Sequence, residues 1–253
     1  RGSDMVRLSP DELRHLRWRD YSVVMQSAMN ALNPMKNIGA QFKDTLEAHG
    51  SHSTQEIRER SAEVLNLVGI DAAHLKSYPY QLSGGMRQRA MIAMALLFTP
   101  QLVIMDEPTS ALDVVAQRSL MSKIKDLQRS LGFAVMFVTH DMSVVSRYSD
   151  RVMVMYAGQI AETAGTGAIF DRPLHPYTRG LMNAFPSVRG PRRELLGIPG
   201  APPDLARPPS GCRFNPRCPD VMPACLSDQP ELYRVGAADV RCLLYAEQVD
   251  GAI

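Results

Sequence analysis

The spacing of apolar residues predicts three amphipathic helices, and each has a start or stop signal in the sequence. Residues 9–12 form a capping-box pattern with proline at the first helical position, so a helix should begin there. Residues 53–56 repeat the capping box and open a stripe of apolar residues that Gly69 should end. A third apolar stripe covers residues 120–131 and should end at Gly132.

Short apolar runs without alternation predict the strands of the same domain. The runs at 102–105 and 134–138 are each followed at once by polar residues, which is typical of strands buried on both faces of a parallel sheet. A third run at 152–156 leads through residues 157–158 into Gln159 and predicts a hairpin. The alternation of helices and strands up to about residue 160 predicts an α/β domain.

The composition changes after Pro186, which predicts a second region. Prolines are dense between residues 191 and 209, and such a segment excludes a regular helix or a central strand. We therefore expect one domain at 1–187 and an extension at 188–253. All four cysteines lie in this extension: Cys212, Cys218, Cys225 and Cys242.

Charge and hydropathy argue against a protein that binds nucleic acid through bulk charge and against one that spans the membrane. The chain of 253 residues has 28 Lys plus Arg against 26 Asp plus Glu, a balance that gives no bulk attraction to nucleic acid or anionic lipid. The longest apolar stretches, such as 91–98, are too short to cross a bilayer. Residues 1–20 are polar and lack the apolar centre of a secretion signal, so we interpret the protein as cytosolic.

Polar residues follow both buried runs at the point where each strand should end. Asp106 and Glu107 follow the first run, and His140 follows the second. Ligands of open α/β sheets bind beyond the carboxyl ends of the strands. One carboxylate there would suit Mg²⁺ and the other a water molecule, which favours phosphate chemistry. The alternative is that Asp106 and Glu107 form only a turn, and His140 only a polar strand end.

A second candidate site lies upstream, at Ser83, Gly84 and Gly85, where a turn opens a helix expected to reach about Leu97. Glycines permit close approach of the backbone, and the free N–H groups at a helix start favour a phosphate. Taken alone, such a turn is usually an ordinary helix cap. The combination of this turn with the downstream strand and acidic pair is a much more specific signal for a phosphate site than the turn alone.

Together these motifs resemble the nucleotide-binding domain of ABC proteins over roughly residues 20–160. The resemblance implies a P-loop NTPase-type α/β fold with an inserted helical subdomain at about 33–97 and, here, a Cys-rich C-terminal extension. The matching segments are the signature at Leu82–Gln88, the Walker B strand at Leu102–Glu107, the D-loop at Ser110–Asp113, the switch histidine His140 and the Q-loop glutamine Gln26.

The resemblance implies roles for the residues at the strand ends, with ATP and Mg²⁺ as ligands. Asp106 would hold Mg²⁺ through water, and Glu107 would act as the base on the attacking water. His140 would contact the γ-phosphate. Gln26 would contact Mg²⁺ and the water, although a glutamine alone at this place would be unremarkable.

The resemblance also implies that two ATPase subunits share each nucleotide. Ser83, Gly84 and Gly85 would grip the γ-phosphate of a nucleotide held by the partner subunit, and Asp113 would lie at the seam between the two.

One expected motif is absent from the sequence. The Walker A pattern Gly-x-x-x-x-Gly-Lys-Ser/Thr occurs nowhere in residues 1–253, and it should precede them. Residues 1–5 resemble the piece of the family that leads into the helix at Ser9. We expect that a native N-terminal section is missing, so this stretch alone should bind ATP poorly and hydrolyse none.

Further segments resemble the ATPases of oligopeptide and dipeptide importers. They are residues 26–34 and 38–39, 175–178, 198–203 and 211–219. The resemblance implies a peripheral subunit on the cytoplasmic face of the inner membrane that powers peptide import. Its implied partners are two transmembrane permease subunits, a second ATPase subunit and, indirectly, a substrate-binding protein, with no nucleic acid. Nickel or oligosaccharide import, a soluble ABC ATPase acting on DNA or ribosomes, and a metal-binding module with a degenerate ATPase are the alternatives.

The cysteines follow the spacing C-x5-C-x6-C-x16-C, which is neither a zinc-ribbon nor a bacterial ferredoxin pattern. Four thiolates suit either Zn²⁺ or a [4Fe–4S] cluster. The family resemblance favours the iron–sulfur cluster, while zinc and unligated buried thiols stay open.

Overall fold

The computed structural model describes residues 4–26, 31–110, 112–184 and 197–248. Contacts between residues divide the chain into two compact units, Arg1–His140 and Asp141–Ile253. Some predicted features lie outside the described residues: the boundary near Ser187, the first three residues, Ser27–Asn30 of the Q-loop region and Ala111 of the D-loop region.

The first unit contains a parallel sheet whose strand order is β1-β2-β3. The strands are β1 (Tyr21–Val24), β2 (Leu102–Asp106) and β3 (Ala134–Val138). The α-helices of this unit are α1 (Pro10–Leu16), α2 (Ile38–Glu47), α3 (Thr54–Leu67), α4 (Gly84–Ala95) and α5 (Val114–Leu131). Short 3-10 helices cover Met5–Arg7, Ala72–Lys76 and Pro79–Gln81.

The predicted helix signals are confirmed by the geometry of the helix ends. Ser9 and Ser53 each form a capping box at the start of α1 and α3. Gly132 ends α5 with a φ of 73°, and Gly69 follows α3 with a φ of 75°. Glycine suits this left-handed backbone because it has no Cβ to clash with the following carbonyl.

Strand β3 was expected to be buried on both faces, and this expectation is wrong. Met136 is 49% exposed and Val138 is 50% exposed, whereas Val103 and Met105 of β2 are fully buried. The reason is the packing over the sheet: among the described elements β3 packs substantially only against β2, whereas helix α4 packs against β1. Periodicity along one strand does not report which elements pack over its faces.

The helices predicted as an insertion, at about 33–97, do follow β1 and precede β2 along the chain. Helix α2 buries Ile38 and Phe42 completely, and α3 buries Val64 and Leu65 completely. Burial of large apolar side chains contributes roughly 1.5–3 kcal/mol for each. These helices pack against each other and against α4, and α4 in turn contacts β1 of the sheet.

The second unit contains an antiparallel sheet with the strand order β4-β5-β7-β6. Its strands are β4 (Arg151–Tyr156), β5 (Gln159–Gly165), β6 (Tyr233–Val235) and β7 (Ala238–Val240), and its α-helices are α6 (Met142–Tyr148), α7 (Thr166–Asp171) and α8 (Pro176–Asn183). Short 3-10 helices cover Asn215–Arg217, Pro223–Leu226 and Leu243–Gln248. The predicted hairpin is confirmed: Ala157 and Gly158, with φ of 48° and 78°, turn β4 into β5.

The Cys-bearing extension is part of this second unit, which differs from the division expected near Ser187. Strand β7 of the extension pairs with β5, at Glu162↔Val240 and Thr163↔Asp239. Phe214 of the extension is 2% exposed and lies 5.1 Å from the ring of Tyr156. The described residues of the extension thus share a sheet and a hydrophobic cluster with β4 and β5.

Arginines of the extension fix it to the β4–β5 hairpin. Arg213 donates to the Ala157 carbonyl, and Arg241 donates to the Ile160 carbonyl at 3.0 Å. Arg217 donates to the Tyr156 hydroxyl at 3.3 Å. A guanidinium suits this task because its planar fork reaches several acceptors at once.

A buried polar pair supports the start of helix α8. The Glu162 carboxylate, 1% exposed, accepts the backbone N–H of Leu174 and of His175, each at 2.9 Å. The His175 Nδ1 accepts the N–H of Tyr177 at 3.0 Å, which makes His175 the N-cap of the helix. Burial lowers the pKa of His175 to about 4; a hydrogen bond with the Arg241 backbone opposes this shift, and the charge of Arg179 adds to it.

We expect this histidine to make the protein less stable in mild acid. Its pKa is lower in the folded state than in the unfolded chain, so its contribution is complete above about pH 6.5 and is lost as the pH falls towards 4. At pH 4.5 the loss should be roughly 2–3 kcal/mol in the free energy of unfolding. Urea unfolding at pH 7 and pH 4.5 measures this loss.

The control is His175→Asn, whose amide oxygen still caps the helix but does not titrate in this range. The variant should lose correspondingly less stability between the two pH values than the parent protein. Equal losses in the two proteins would contradict this account of His175.

Candidate functional site

The predicted site residues Asp106, Glu107 and His140 lie at one edge of the parallel sheet. Asp106 ends β2 and is in register with Val138, the last residue of β3. Because the strands are parallel, the residues that follow them emerge on the same side. The Glu107 N–H donates to the Val138 carbonyl at 2.8 Å, which continues the pairing one residue past β2.

Glu107 and His140 are in direct contact. The Glu107 Oε1 lies 2.6 Å from the His140 Nδ1 and accepts the His140 backbone N–H at 3.1 Å. The Thr139 hydroxyl donates to the other carboxylate oxygen at 3.4 Å. A carboxylate accepts only, so the short contact to Nδ1 places the imidazole proton on that nitrogen. Thr139 was not predicted as a site residue; its place before His140 at the strand end was the available signal.

The two side chains differ in their access to solvent. The Glu107 side chain is 14% exposed, and that of His140 is 84% exposed. Glu107 has a φ of 46°, a left-handed backbone that side chains other than glycine adopt at a cost. The structure thus turns the carboxylate back against the strand end, and the histidine covers it from the solvent side.

Gln26 stands at the same edge, after the neighbouring strand. Val24 ends β1 in register with Met105, one residue before Asp106. Gln26 is exposed two positions later. The register of β1 and β2 thus brings Gln26 to the same edge of the sheet as the acidic pair.

The Ser83–Gly85 turn begins helix α4, as the sequence predicts, but α4 ends at Ala95, slightly before the expected Leu97. The Ser83 hydroxyl accepts the Met86 N–H at 3.3 Å, so Ser83 is the helix cap. A Cβ placed on Gly85 would meet no atom within 4 Å. Open space beside the free N–H groups of a helix start suits a phosphate group.

Asp113 is the N-cap of α5 and is exposed. Its carboxylate accepts the N–H of Val115 at 2.9 Å and of Ala116 at 2.8 Å. Ser110, in the same loop, donates its hydroxyl to the Glu107 carbonyl at 3.2 Å. Side-chain hydrogen bonds thus join Ser110 to Glu107 and Asp113 to the start of α5.

The four cysteines converge in the second unit. Cys212 donates its N–H to the Cys225 carbonyl at 3.0 Å. Burial raises the pKa of the Cys242 thiol to about 11, and the three other thiols add to this rise. Burial also raises the pKa of Cys212 and of Cys218.

Convergence of the thiols does not amount to a formed metal site. Among the described residues, which include all four cysteines, no group of three or more His, Cys, Asp or Glu side chains is arranged to hold a metal ion. A metal requires deprotonated thiolates at about 2.3 Å, while the raised pKa values favour protonated thiols. The thiols are thus free in this arrangement, and a bound metal would have to draw them together and deprotonate them.

Two family models match the chain. The ABC transporter model matches residues 2–110, which contain the Ser83 turn and the acidic pair. A model for the C-terminal region of oligopeptide/dipeptide transporters matches residues 161–225, which begin in β5 and end at Cys225.

Relatives match over almost the whole chain. The dipeptide transport ATP-binding protein DppD of Caldanaerobacter subterraneus is 46% identical over 252 residues, which are 98% of this chain and 77% of that protein. The oligopeptide transport ATP-binding protein AppD of Bacillus subtilis is 42% identical over 97% of this chain and 76% of its own length.

A solved structure shares the fold. The dimeric structure of MJ0796, described as a bacterial ABC transporter cassette, is 30% identical with a TM-score of 0.57, and the match covers 64% of this chain and 69% of that one.

Fold, strand-end site and sequence thus agree on an ABC-type ATPase. The chain belongs to the ABC transporter ATP-binding proteins, in the oligopeptide/dipeptide group. None of the helices in the described part of the chain is both long enough and apolar enough to span a membrane.

Replacing the cap of α5 should destabilise the protein. Asp113→Ala removes two hydrogen bonds to the helix start, and we expect the free energy of unfolding to fall by about 1 kcal/mol. Asp113→Asn is the matched control, since its amide oxygen accepts the same N–H groups. Denaturant unfolding that gives equal stability for the alanine and asparagine variants would contradict the capping role.

Proposed function

We propose that this chain is the ATP-binding and ATP-hydrolysing subunit that powers the import of peptides through a membrane ABC transporter. The support is the agreement between its curated relatives, named for dipeptide and oligopeptide transport, and the match of its C-terminal region to a model of that group. Nickel or oligosaccharide import and a soluble ABC ATPase are the weaker alternatives, because both of these relatives are named for peptides.

The observation that carries the ATPase role is the contact between Glu107 and His140 beside Asp106. Glu107 acts as the base on the attacking water, and its carboxylate is oriented by the His140 Nδ1 at 2.6 Å. The exposed ring of His140 faces solvent, where the γ-phosphate would arrive. Asp106 and Gln26 are the residues that would hold Mg²⁺, through water.

Mg²⁺ fits this edge of the sheet by the chemistry of its donors. Carboxylate and amide oxygens are the ligands that Mg²⁺ takes, often with several waters kept. When bound, the cation would neutralise charge that develops on the transferred phosphate.

The second half of the nucleotide site comes from another subunit. Ser83, Gly84 and Gly85 present a capped turn with open space beside Gly85. They bind the γ-phosphate of a nucleotide held by a second ATPase subunit, and Asp113 lies at the seam between the two. A related cassette, MJ0796, is described as dimeric, which supports this arrangement.

The remaining partners follow from the proposed transport function. Two permease subunits form the membrane path, and an external binding protein delivers peptide to them. This chain attaches to the permeases as a peripheral subunit on the cytoplasmic face of the inner membrane. Its net charge of +2 is close to neutral and gives no bulk attraction to nucleic acid, so nucleic acid is not among the proposed partners.

We expect Glu107→Gln to abolish hydrolysis and to preserve nucleotide binding. The amide keeps an acceptor for the His140 N–H but does not take a proton from water, so kcat for ATP should fall on the order of 100-fold or more. Phosphate release by the full-length subunit in its assembled transporter measures hydrolysis, and equilibrium titration with MgATP measures nucleotide binding. Peptide uptake into vesicles measures transport.

The matched control is Glu59→Gln, an exposed position of α3 away from the sheet edge. It should hydrolyse ATP and import peptide at the parent rate. A Glu107→Gln transporter that keeps near-parent hydrolysis would overturn the catalytic assignment. Hydrolysis that responds to Glu107 while no peptide enters would overturn only the substrate assignment.

We propose further that the four cysteines form one metal centre in the mature subunit, with a [4Fe–4S] cluster as the expected occupant. The support is their placement in one unit: Cys212 donates its N–H to the Cys225 carbonyl at 3.0 Å, and Cys212 and Cys218 pack against the same cluster around Phe214. A bound centre requires that the thiols deprotonate and move closer than in the arrangement described here. No step of ATP hydrolysis depends on this centre.

Anaerobic purification decides the occupant. We expect about four iron and four sulfide per chain with broad absorbance near 400 nm, and Cys225→Ser should lose both. Zinc in place of iron would overturn the assignment of an iron–sulfur cluster. Protein free of both metals would overturn the metal centre and leave the four cysteines as free thiols.

A further inference from the structure

Helices α3 and α4 are antiparallel neighbours, and an arginine of α4 joins them near the signature turn. The Arg89 Nε donates to the Gly85 carbonyl at 3.3 Å, and its Nη1 donates to the Gly69 carbonyl at 3.2 Å. Gly85 belongs to the Ser83–Gly85 turn, and Gly69 follows the end of α3. One guanidinium therefore ties the start of the signature helix to the end of its neighbour.

A second arginine makes the reciprocal connection at the other end of the pair. Arg60 of α3 donates its Nε to the Leu97 carbonyl at 2.7 Å and its Nη2 to the Leu96 carbonyl at 2.8 Å. The same Nη2 donates to the Thr99 hydroxyl at 2.7 Å. The carbonyls at the end of a helix lack partners within the helix and carry partial negative charge, so a guanidinium satisfies and stabilises them.

We propose that Arg89 and Arg60 are positioning residues for the signature turn in ATP hydrolysis. They fix α4 at both of its ends against α3, so the Ser83 hydroxyl and the Gly85 N–H are presented in one place. The inference rests on the proposed role of this turn as the half-site for the partner's γ-phosphate.

Small displacements of such a half-site are costly to the reaction. Donors that stabilise a transition state act over hydrogen-bond distances, and a misplacement of about 1 Å can cost up to roughly 100-fold in rate. Arginine suits both positions because it bonds two or more carbonyls from one planar group, which a lysine ammonium on a flexible stem does less well. Arg60 in addition contacts Glu63 at 2.7 Å, which orients its guanidinium.

The experiment compares Arg89→Lys, Ser83→Ala and the double variant in the assembled transporter, at a temperature where circular dichroism finds each fully folded. Arg89→Lys keeps the charge but loses the fork, and kcat for ATP should fall about tenfold while KM changes less than about twofold. Because Arg89 acts through the turn, the double variant should be no slower than Ser83→Ala alone, within about twofold.

Arg60→Lys extends the test to the C-terminal end of α4. If Arg89→Lys does not accumulate as folded protein, Arg60→Lys takes its place. It should also lower kcat about three- to tenfold. Arg58→Lys is the matched control, since Arg58 is exposed on the same helix, and it should hydrolyse ATP at the parent rate.

The outcomes distinguish a failure of the proposed role of the Ser83–Gly85 turn from a failure of the positioning role of the two arginines. A Ser83→Ala transporter with parent kcat would overturn the proposed role of the turn itself. Two results would overturn the positioning role and leave the proposed ATPase function standing. In the first, Ser83→Ala lowers kcat and the double variant is slower still, by the product of the two single effects. In the second, Arg58→Lys lowers kcat as much as Arg60→Lys does.

Discussion

The contact between the Glu107 carboxylate and His140 is the interaction on which the site depends, and it exists only because β2 and β3 are parallel and in register. Asp106 pairs with Val138, so the residues after each strand emerge together. The backbone bond from Glu107 to Val138 then fixes the left-handed turn that brings the carboxylate under the imidazole. A slip of the register would carry the base and the histidine apart.

Much of this could be predicted from the sequence because its signals are local. The serine caps at residues 9 and 53 and the glycine stop at 132 each depend on a few neighbouring residues, and the structure has them where the pattern indicates. The strand-end residues Asp106 and His140 followed from a general rule, that parallel strands deliver their ends to one edge. Local pattern and global topology agree there.

The remainder depends on contacts between distant parts of the chain, which no local pattern reports. Met136 is exposed because, among the described elements, β3 packs substantially only against β2. The union of the extension with the hairpin follows from the pairing of β7 with β5. The hydrogen bonds of Arg60 to the Leu96 and Leu97 carbonyls likewise join distant parts of the chain. Arginine on a helix usually faces solvent, so its sequence position carried no signal of these bonds.

Nitrogen NMR of the protein labelled with ¹⁵N in its histidines tests the central claim most directly, because it reports which nitrogen of His140 carries the proton. At pH 8 we expect Nδ1 to be protonated and its resonance to shift in the Glu107→Gln variant, since Nδ1 lies 2.6 Å from the Glu107 carboxylate. A proton on Nε2, with no response of the ring to Glu107→Gln, would contradict the contact on which the account rests.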